Sequence, residues 1–390
     1  MRRQSFSVSF DFPVVFTRDV VNPRNPVLAE AIGAGDHRVV AYVDSGVARA
    51  HPGLCRRLSA YFRAHPDHGV LVAPPEIIPG GERAKNDWSL ARRLINQFRD
   101  LGLCRQSYVL AVGGGAVLDA VGFAASLFHR GLRLVRLPTT VLAQNDVGVG
   151  VKNALNGPGV KNLVGTFSPP YAVVNDLDFL RTLSDRDWIG GIAEAFKVAI
   201  IRDRAFFLFL CATAARLRRR DEAAMERLIR RCADLHLDHI RTQGDPFETG
   251  RSRPLDFGHW AAHRLEIMTR HRLGHGQAVA LGLTLDSVYA RLKGWLTDRE
   301  RQAIRLGLEQ SGFALWHPAL AQRDRSGRLE LLRGLDDFRE HLGGRLLVTF
   351  PRGIGRRHEV DRMDPSLIEA SVREMASWRR PARRRDLLTK

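Results

Sequence analysis

The chain carries only six lysines against 54 arginines, and four of the six, Lys85, Lys152, Lys161 and Lys197, fall within its densest motif region. Where nearly every basic position is arginine, a lysine marks a site that calls for a compact point charge rather than a planar fork. Its ammonium offers three donors on a flexible stem, suited to an anionic oxygen in a tight pocket. Four such groups imply a polyanionic ligand. Two of them stand in QNDVGVGVKNALNGPGVKN, with Asp146 and Asn162, where small residues allow close approach while Lys152 and Lys161 face the anion.

A second constellation has the chemistry of a metal centre. Glu194 and Lys197 in GIAEAFK are three residues apart, and His259 and His263 in FGHWAAHRLE four apart, so each pair shares one helical face. His275 opens HGQAVALGL at a helix start. One carboxylate with two imidazoles is a donor set for a catalytic zinc that keeps positions open for substrate. A single buried histidine is more often a packed one, but three near Glu-x-x-Lys in a helical region point to ligation. His271, in TRHRL, reads as part of a polar loop and is set apart.

The third constellation is Gly113-Gly114-Gly115, between an apolar strand and a helix carrying Asp119. Glycines there let backbone N–H groups and the helix N-terminus approach a phosphate. The bare triplet is not the GxGxxG fingerprint, and it also suits a tight turn before a packed helix. It gains weight from Pro79–Lys85 and Pro138-Thr139-Thr140, two further loops that follow strands on the same sheet edge, where ligands of open α/β sheets bind.

The elements that must position these groups follow from periodicity. Strands are expected at Ser5–Phe10, Arg38–Val43, Gly69–Ala73, Tyr108–Val112, Leu132–Leu137 and Tyr171–Val174, with helices at Pro52–Ala64, Trp88–Leu101 and Ala116–His129. That alternation is the rhythm of a parallel sheet covered on both faces. After about Leu183 the pattern is helical: Gly190–Asp203, Ala205–Ala215, Asp221–Thr242, Pro254–Thr269, Gln277–Lys293 and Asp298–Gly312. Asn153–Asn162 reads as a long loop. The expected organisation is an α/β nucleotide-binding domain over 1–180, an all-α metal and substrate domain over 181–375, and a basic tail over 376–390.

Composition narrows the function classes. With 44% hydrophobic and 26% charged residues the chain reads as soluble and globular. No apolar run is long enough for a signal peptide or a membrane span, which makes the cytoplasm the expected location. Four separated cysteines carry no zinc or redox spacing. The net charge of +18 is spread as arginine without an aromatic-interleaved stripe, which speaks for a field that steers anionic substrates and against nucleic acid as the partner.

Taken in order, VGGGAVLDAVGFAA, RGLRLVRLPTTVLAQNDVGVGVKN, KNLVGTFSPPYAVVNDLDFLRTL, GIAEAFK and FGHWAAHRLE with HGQAVALG resemble the sugar phosphate cyclases, the family of 3-dehydroquinate synthase. The resemblance runs from about Asp44 to Gly282, with PRGIG at Pro351 as a C-terminal echo. It implies an NAD-binding α/β domain, a helical metal-binding domain, an active site between them and a homodimer. By motif, Asp44, Glu82, Lys85, Gly114, Gly115, Asp119, Thr139 and Thr140 would hold NAD. Glu194, His259 and His275 would bind Zn2+, with Co2+ as the alternative. Lys152, Asn162, Lys197, His263 and Arg130 would surround the phosphate of a phosphorylated sugar, Arg130 from a neighbouring subunit. Asp146 and Lys161 would contact its hydroxyls. The implied reaction oxidises a carbinol transiently, eliminates phosphate, returns the hydride and closes the ring by an intramolecular aldol step.

The chain departs from dehydroquinate synthases at Asp256, where they usually carry Asn, at Val151 and Leu118, where they usually carry Gly, and at Ser252, where an arginine is usual although Arg251 and Arg253 flank it. A lysine usual further upstream is missing from DLHLDHIRTQGDPFE. These groups normally meet a substrate carboxylate. Asp256 and Val151 are instead similar to the 2-epi-5-epi-valiolone synthase branch, which acts on sedoheptulose 7-phosphate, whereas the His259/His263 pair is shared with dehydroquinate synthases. The resemblance therefore implies a divergent cyclase of secondary metabolism, leaning to sedoheptulose 7-phosphate, with 3-deoxy-arabino-heptulosonate 7-phosphate as the alternative. A metal-dependent NAD polyol dehydrogenase, which needs no phosphate site, is the alternative of another class.

Overall fold

The runs RVVAYVD, YVLAVG and RLVRLP lack the alternation of a half-wet strand, which suits burial on both faces. In the computed structural model, which describes residues 1–157, 160–242, 247, 254–341 and 344–378, they are the heart of a parallel sheet. Contacts divide the chain into two units, Met1–Gly191 with Ile229–Phe247, and Ile192–Leu228 with Glu248–Lys390.

The first unit contains β1 (Val14–Thr17), β2 (Arg38–Asp44), β3 (Val70–Leu71), β4 (Glu76–Ile78), β5 (Tyr108–Gly113), β6 (Arg133–Pro138), β7 (Lys152–Gly157), β8 (Val160–Phe167) and β9 (Ala172–Asp176). The main sheet runs β1-β9-β6-β5-β2-β3, with β4 also on β2, and every pairing is parallel. Alternate residues supply two cores. Val109 and Ala111 face Leu94, Phe98, Val117 and Val121, whereas Tyr108, Leu110 and Val112 face Leu58, Tyr61 and Phe62. The covering helices are α1 (Leu54–Ala64), α2 (Trp88–Asp100) and α3 (Gly115–Leu127). Ala233 packs with Val149 and Val173, against Val14 and Phe16.

Registers Asp44↔Ile78 and Gly113↔Pro138 put the loops after β2, β4, β5 and β6 on one carboxyl edge. Three sequence readings in this unit need correction. Ser5–Phe10 is not a strand: Phe6, Val8 and Phe10 are exposed, and it is Val14–Phe16 that finds partners in Val173–Asn175. Gly69–Ala73 shrinks to Val70–Leu71, because the Pro74-Pro75 pair following it has no N–H to extend a ladder. Asn153–Asn162 is no loop but most of an antiparallel hairpin of β7 and β8, with Asn153↔Thr166 and Leu155↔Val164 in register. Pro158 and Gly159, which with Gly157 suggested a loop, lie outside the described residues.

The second unit is mostly helical. The chain supplies α4 (Asp185–Arg202), α5 (Arg204–Arg218) and α6 (Glu222–Thr242), of which α4 and α6 carry residues of both units, then α7 (His259–Met268), α8 (His275–Leu292), α9 (Asp298–Gln310) and α10 (Pro365–Ser377). From Ala278 to Ala290 every residue of α8 is buried, as expected for a helix apolar nearly all round. The helix expected over Pro254–Thr269 is interrupted after a 3-10 turn at Pro254–Asp256, since Gly258 takes φ 77 and α7 starts only at His259. A Cβ on Gly258 would lie 2.8 Å from Leu283 N, and one on Gly282 would lie 2.1 Å from Gly258 O, so the two segments touch backbone to backbone. A short antiparallel pair, Val348–Pro351 with Arg357–Val360, includes the start of PRGIG. The basic tail lies outside the described residues from 379 onward. Among the described residues no helix is long and apolar enough to cross a membrane.

Candidate active site

The carboxyl edge of the first unit is shaped by glycines. A Cβ on Gly113 would come within 2.8 Å of Val117 Cβ, and one on Gly114 within 3.3 Å of Thr140 Cγ2, so side chains are excluded where α3 begins. Gly115 is the first residue of α3, and its N-cap, Gly114, supplies no side-chain hydrogen bond to that helix end. Asp44 accepts from Gly46 N at 2.6 Å, and a Cβ on Gly80 would meet Asp44 Oδ1 at 2.1 Å. Thr140 accepts from Ala143 N at 3.1 Å. Among the described residues the buried hydroxyl of Thr139 finds no hydrogen-bond partner, which suits a polar ligand there.

Beside this edge the structure brings Glu82, Lys85, Asp119, Lys161 and Asn162 together. Lys85 Nζ, almost wholly buried, donates to Asp119 Oδ2 at 2.6 Å and to Asn162 Oδ1 at 2.5 Å. Glu82 receives Lys161 Nζ at 3.3 Å and Asn156 Nδ2 at 3.0 Å. Burial alone would raise the Glu82 pKa, but the charges of Lys161 and Lys85 and the Asn156 bond outweigh it and hold the carboxyl below its ordinary value. Asn162, at φ 51, has its amide oxygen taken by Lys85, which leaves the NH2 end to donate elsewhere. Arg130, also left-handed at φ 65, is exposed and makes no hydrogen bond or ion pair among the described residues.

Two partners in this unit escaped the sequence reading. Arg136 is fully buried and donates to the carbonyls of Gly148 at 3.1 Å, Gly150 at 2.7 Å and Lys152 at 3.2 Å, and to Asn153 Oδ1 at 2.7 Å. It thereby fixes the backbone from which the exposed Lys152 side chain departs. Burial draws the Arg136 pKa down to about 10 against the opposing charge of Asp119. A charge inside an apolar strand was its signal. His236 Nδ1 lies 2.7 Å from Asp146 Oδ1, and nothing local in the sequence announces that pairing.

In the second unit, Glu194, His259 and His275 converge, with one donor atom of each within 4.8 Å of the others. Glu194 Oε1 lies 3.4 Å from His259 Nε2 and 3.1 Å from His275 Nε2, while Lys197 Nζ sits 2.5 Å from Glu194 Oε2. Burial pushes the Glu194 carboxyl up, yet Lys197 and the two histidines hold it well below the usual carboxylate range. His259 Nδ1 faces Phe257 O at 3.1 Å, and His275 Nδ1 faces Glu266 Oε2 at 3.0 Å. With each Nδ1 donating to one of these accepting oxygens, each Nε2 would be left to present a lone pair to an ion at the same place. That donor set fits a divalent ion such as zinc. The His263 ring is 5.4 Å from that of His259 and 6.2 Å from that of His275.

Asp286, buried within α8, accepts from Trp260 Nε1 at 3.0 Å and Gly258 N at 3.2 Å, holding both neighbours of His259. Burial pushes its pKa up to about 8. Neither Glu266 nor Asp286 was singled out in the sequence, although Glu266 stands seven residues from His259 on the same helical stripe. Asp256 is half-buried in its 3-10 turn, and its neighbours Arg251, Ser252 and Arg253 lie outside the described residues.

The family models for the 3-dehydroquinate synthase N-terminal and C-terminal regions match residues 76–190 and 191–330. The chain is 36% identical over 326 residues to a 3-dehydroquinate synthase of Xanthomonas campestris pv. campestris strain 8004, covering 81% of this chain and 83% of that one. It is 34% identical over 355 residues to a 2-epi-5-epi-valiolone synthase of Streptomyces glaucescens, covering 90% and 87%. Among solved structures, the 2-epi-5-epi-valiolone synthase ValA of Streptomyces hygroscopicus subsp. jinggangensis 5008, with NAD+ and Zn2+ bound, superposes with a TM-score of 0.86 at 29% identity, over 96% of this chain and 99% of that one.

Proposed function

The chain belongs to the 3-dehydroquinate synthase family of sugar phosphate cyclases, and from that premise we propose that it converts a seven-carbon ketose 7-phosphate to a carbocycle with loss of phosphate. The observation that carries this reading is the convergence of Glu194, His259 and His275, with Lys197 drawn to the same carboxylate. A cationic group beside a metal donor set is what a phosphorylated polyol asks for. NAD, held at the first unit's glycine edge by Asp44, Glu82, Lys85, Gly114, Gly115, Asp119, Thr139 and Thr140, would accept and return a hydride, and Zn2+ or Co2+ would polarise the carbinol oxygen.

The chain's own residues do the rest. Lys152, Lys197, His263 and the Asn162 amide donate to phosphate oxygens and stabilise charge as the C–O bond breaks. Arg130, exposed and without an ion pair among the described residues, is available to join them from a second copy in a homodimer. Lys161 and Asp146 hold ring hydroxyls, with Lys161 paired to Glu82.

Asp256 favours a neutral-headed substrate. A carboxylate there repels a carboxylated ketose, and leaving the ligand's charge without a buried cation costs about 2–5 kcal/mol. It also accepts a hydrogen bond from a hydroxymethyl group, which supports sedoheptulose 7-phosphate. The His259/His263 pair and the Xanthomonas relative favour the second reading, 3-deoxy-arabino-heptulosonate 7-phosphate. Incubation of enzyme, NAD+ and Zn2+ with each phosphate separately, measuring released phosphate and NADH absorbance, discriminates them. Turnover of the carboxylated ketose alone would assign the chain to dehydroquinate synthesis, and stoichiometric NADH would assign it to polyol dehydrogenation. With the correct ketose, Lys197→Ala should lose phosphate release while keeping NAD+ affinity.

A further inference from the structure

We propose that Glu266 is a positioning residue for the metal centre, its carboxylate accepting the Nδ1–H of His275 and so aiming the Nε2 lone pair at the ion. The inference rests on the metal reading above and deepens it. His259, His263 and Glu266 stand at i, i+4 and i+7 on α7, so one stripe carries a ligand, a second imidazole and a carboxylate at successive turns. His275 lies over that stripe, its ring 5.7 Å from that of His259 and 6.2 Å from that of His263. One of its nitrogens reaches 3.1 Å to Glu194 and the other 3.0 Å to Glu266.

The backbone of Glu266 fixes the same ligand from a second direction. Its carbonyl accepts from His271 N at 2.8 Å, in the turn where Arg270 (φ 51) and His271 (φ 58) both take left-handed conformations and send the chain into α8. Two consecutive non-glycine residues held there need a firm anchor. Glu266 is 2% exposed, and a carboxylate removed from water survives only where polar partners compensate it. One such partner is the imidazole whose far nitrogen faces Glu194. A carboxylate behind a ligating histidine raises its basicity, whereas among the described residues His259 Nδ1 faces the neutral Phe257 carbonyl. The two histidines are therefore unequal ligands, His275 the stronger.

The test strips purified full-length protein of metal and titrates Zn2+ against a chromogenic chelator for wild type, Glu266→Gln, Glu266→Asp and His275→Ala. Glu266→Gln keeps an accepting oxygen but loses the charge, and should weaken Zn2+ binding about 10- to 100-fold with the thermal midpoint of the metal-free protein unchanged. Glu266→Asp, which retains the charge, should retain more affinity than Glu266→Gln, and the visible spectrum of the Co2+ form should shift in Glu266→Gln. Equal Zn2+ affinity in wild type and Glu266→Gln overturns the inference and leaves the metal reading intact, whatever happens to the metal-free midpoint. Equal metal content in wild type and His275→Ala overturns the metal reading and the inference with it.

Discussion

At Asp286 a single side chain links stability to pH. Burial raises its folded-state pKa to about 8, above the ordinary carboxylate value of about 4 in an unfolded chain. The folded protein therefore holds this proton more tightly, so the contribution is complete below pH 4 and is lost as pH rises toward 8. Urea unfolding of metal-free protein at several pH values should show wild type losing stability relative to Asp286→Asn by about 1.4 kcal/mol per pH unit within that window; parallel pH profiles would contradict it. The convergence of Glu194, His259 and His275 was legible from sequence because helical spacing and donor chemistry coincide. Glu266, Asp286 and Arg136 were not, because a carboxylate in a helix or an arginine in a strand reads as solvated until the residues packed over it are known.

Among elements, the approach of α8 to the start of α7 includes a contact made of backbone, between Gly282 and Gly258. Since a Cβ on Gly282 would fall 2.1 Å from Gly258 O, no rotamer change can admit it, and Gly282→Ala must force the helices apart. Overpacking of this kind costs about 1–3 kcal/mol or more. Because Gly258 adjoins His259 and α8 begins with His275, Zn2+ affinity should fall together with the midpoint of chemical unfolding. Gly190→Ala, where an added Cβ meets nothing within 4 Å, should instead be neutral or stabilising. Helices and buried strands were readable from their periodicity. The hairpin of β7 and β8 was not, because its glycines and small residues carry little pattern and its register comes from pairing over distance.

Across the whole molecule, charge acts at the longest range. A net +18 contributed mostly by arginine gives a field that draws phosphorylated ligands, and ions screen it beyond about 10 Å at 0.1 M. KM for the sugar phosphate should rise several-fold from low to physiological salt while kcat changes little; a flat KM would show that only local contacts matter. The layout of the sheet was legible as a parallel class but its order was not, since strand order depends on crossovers that no local window contains. That order has a consequence in time. Among the described residues β1 pairs with β9 alone, so this strand, made before the other strands of its sheet, must wait, its apolar Val14, Val15 and Phe16 unpaired, until Val173, Val174 and Asn175 have been made. Of the strands in this sheet the earliest made is the one that completes it, and a stalled chain ending before β9 would present that strand to its neighbours instead.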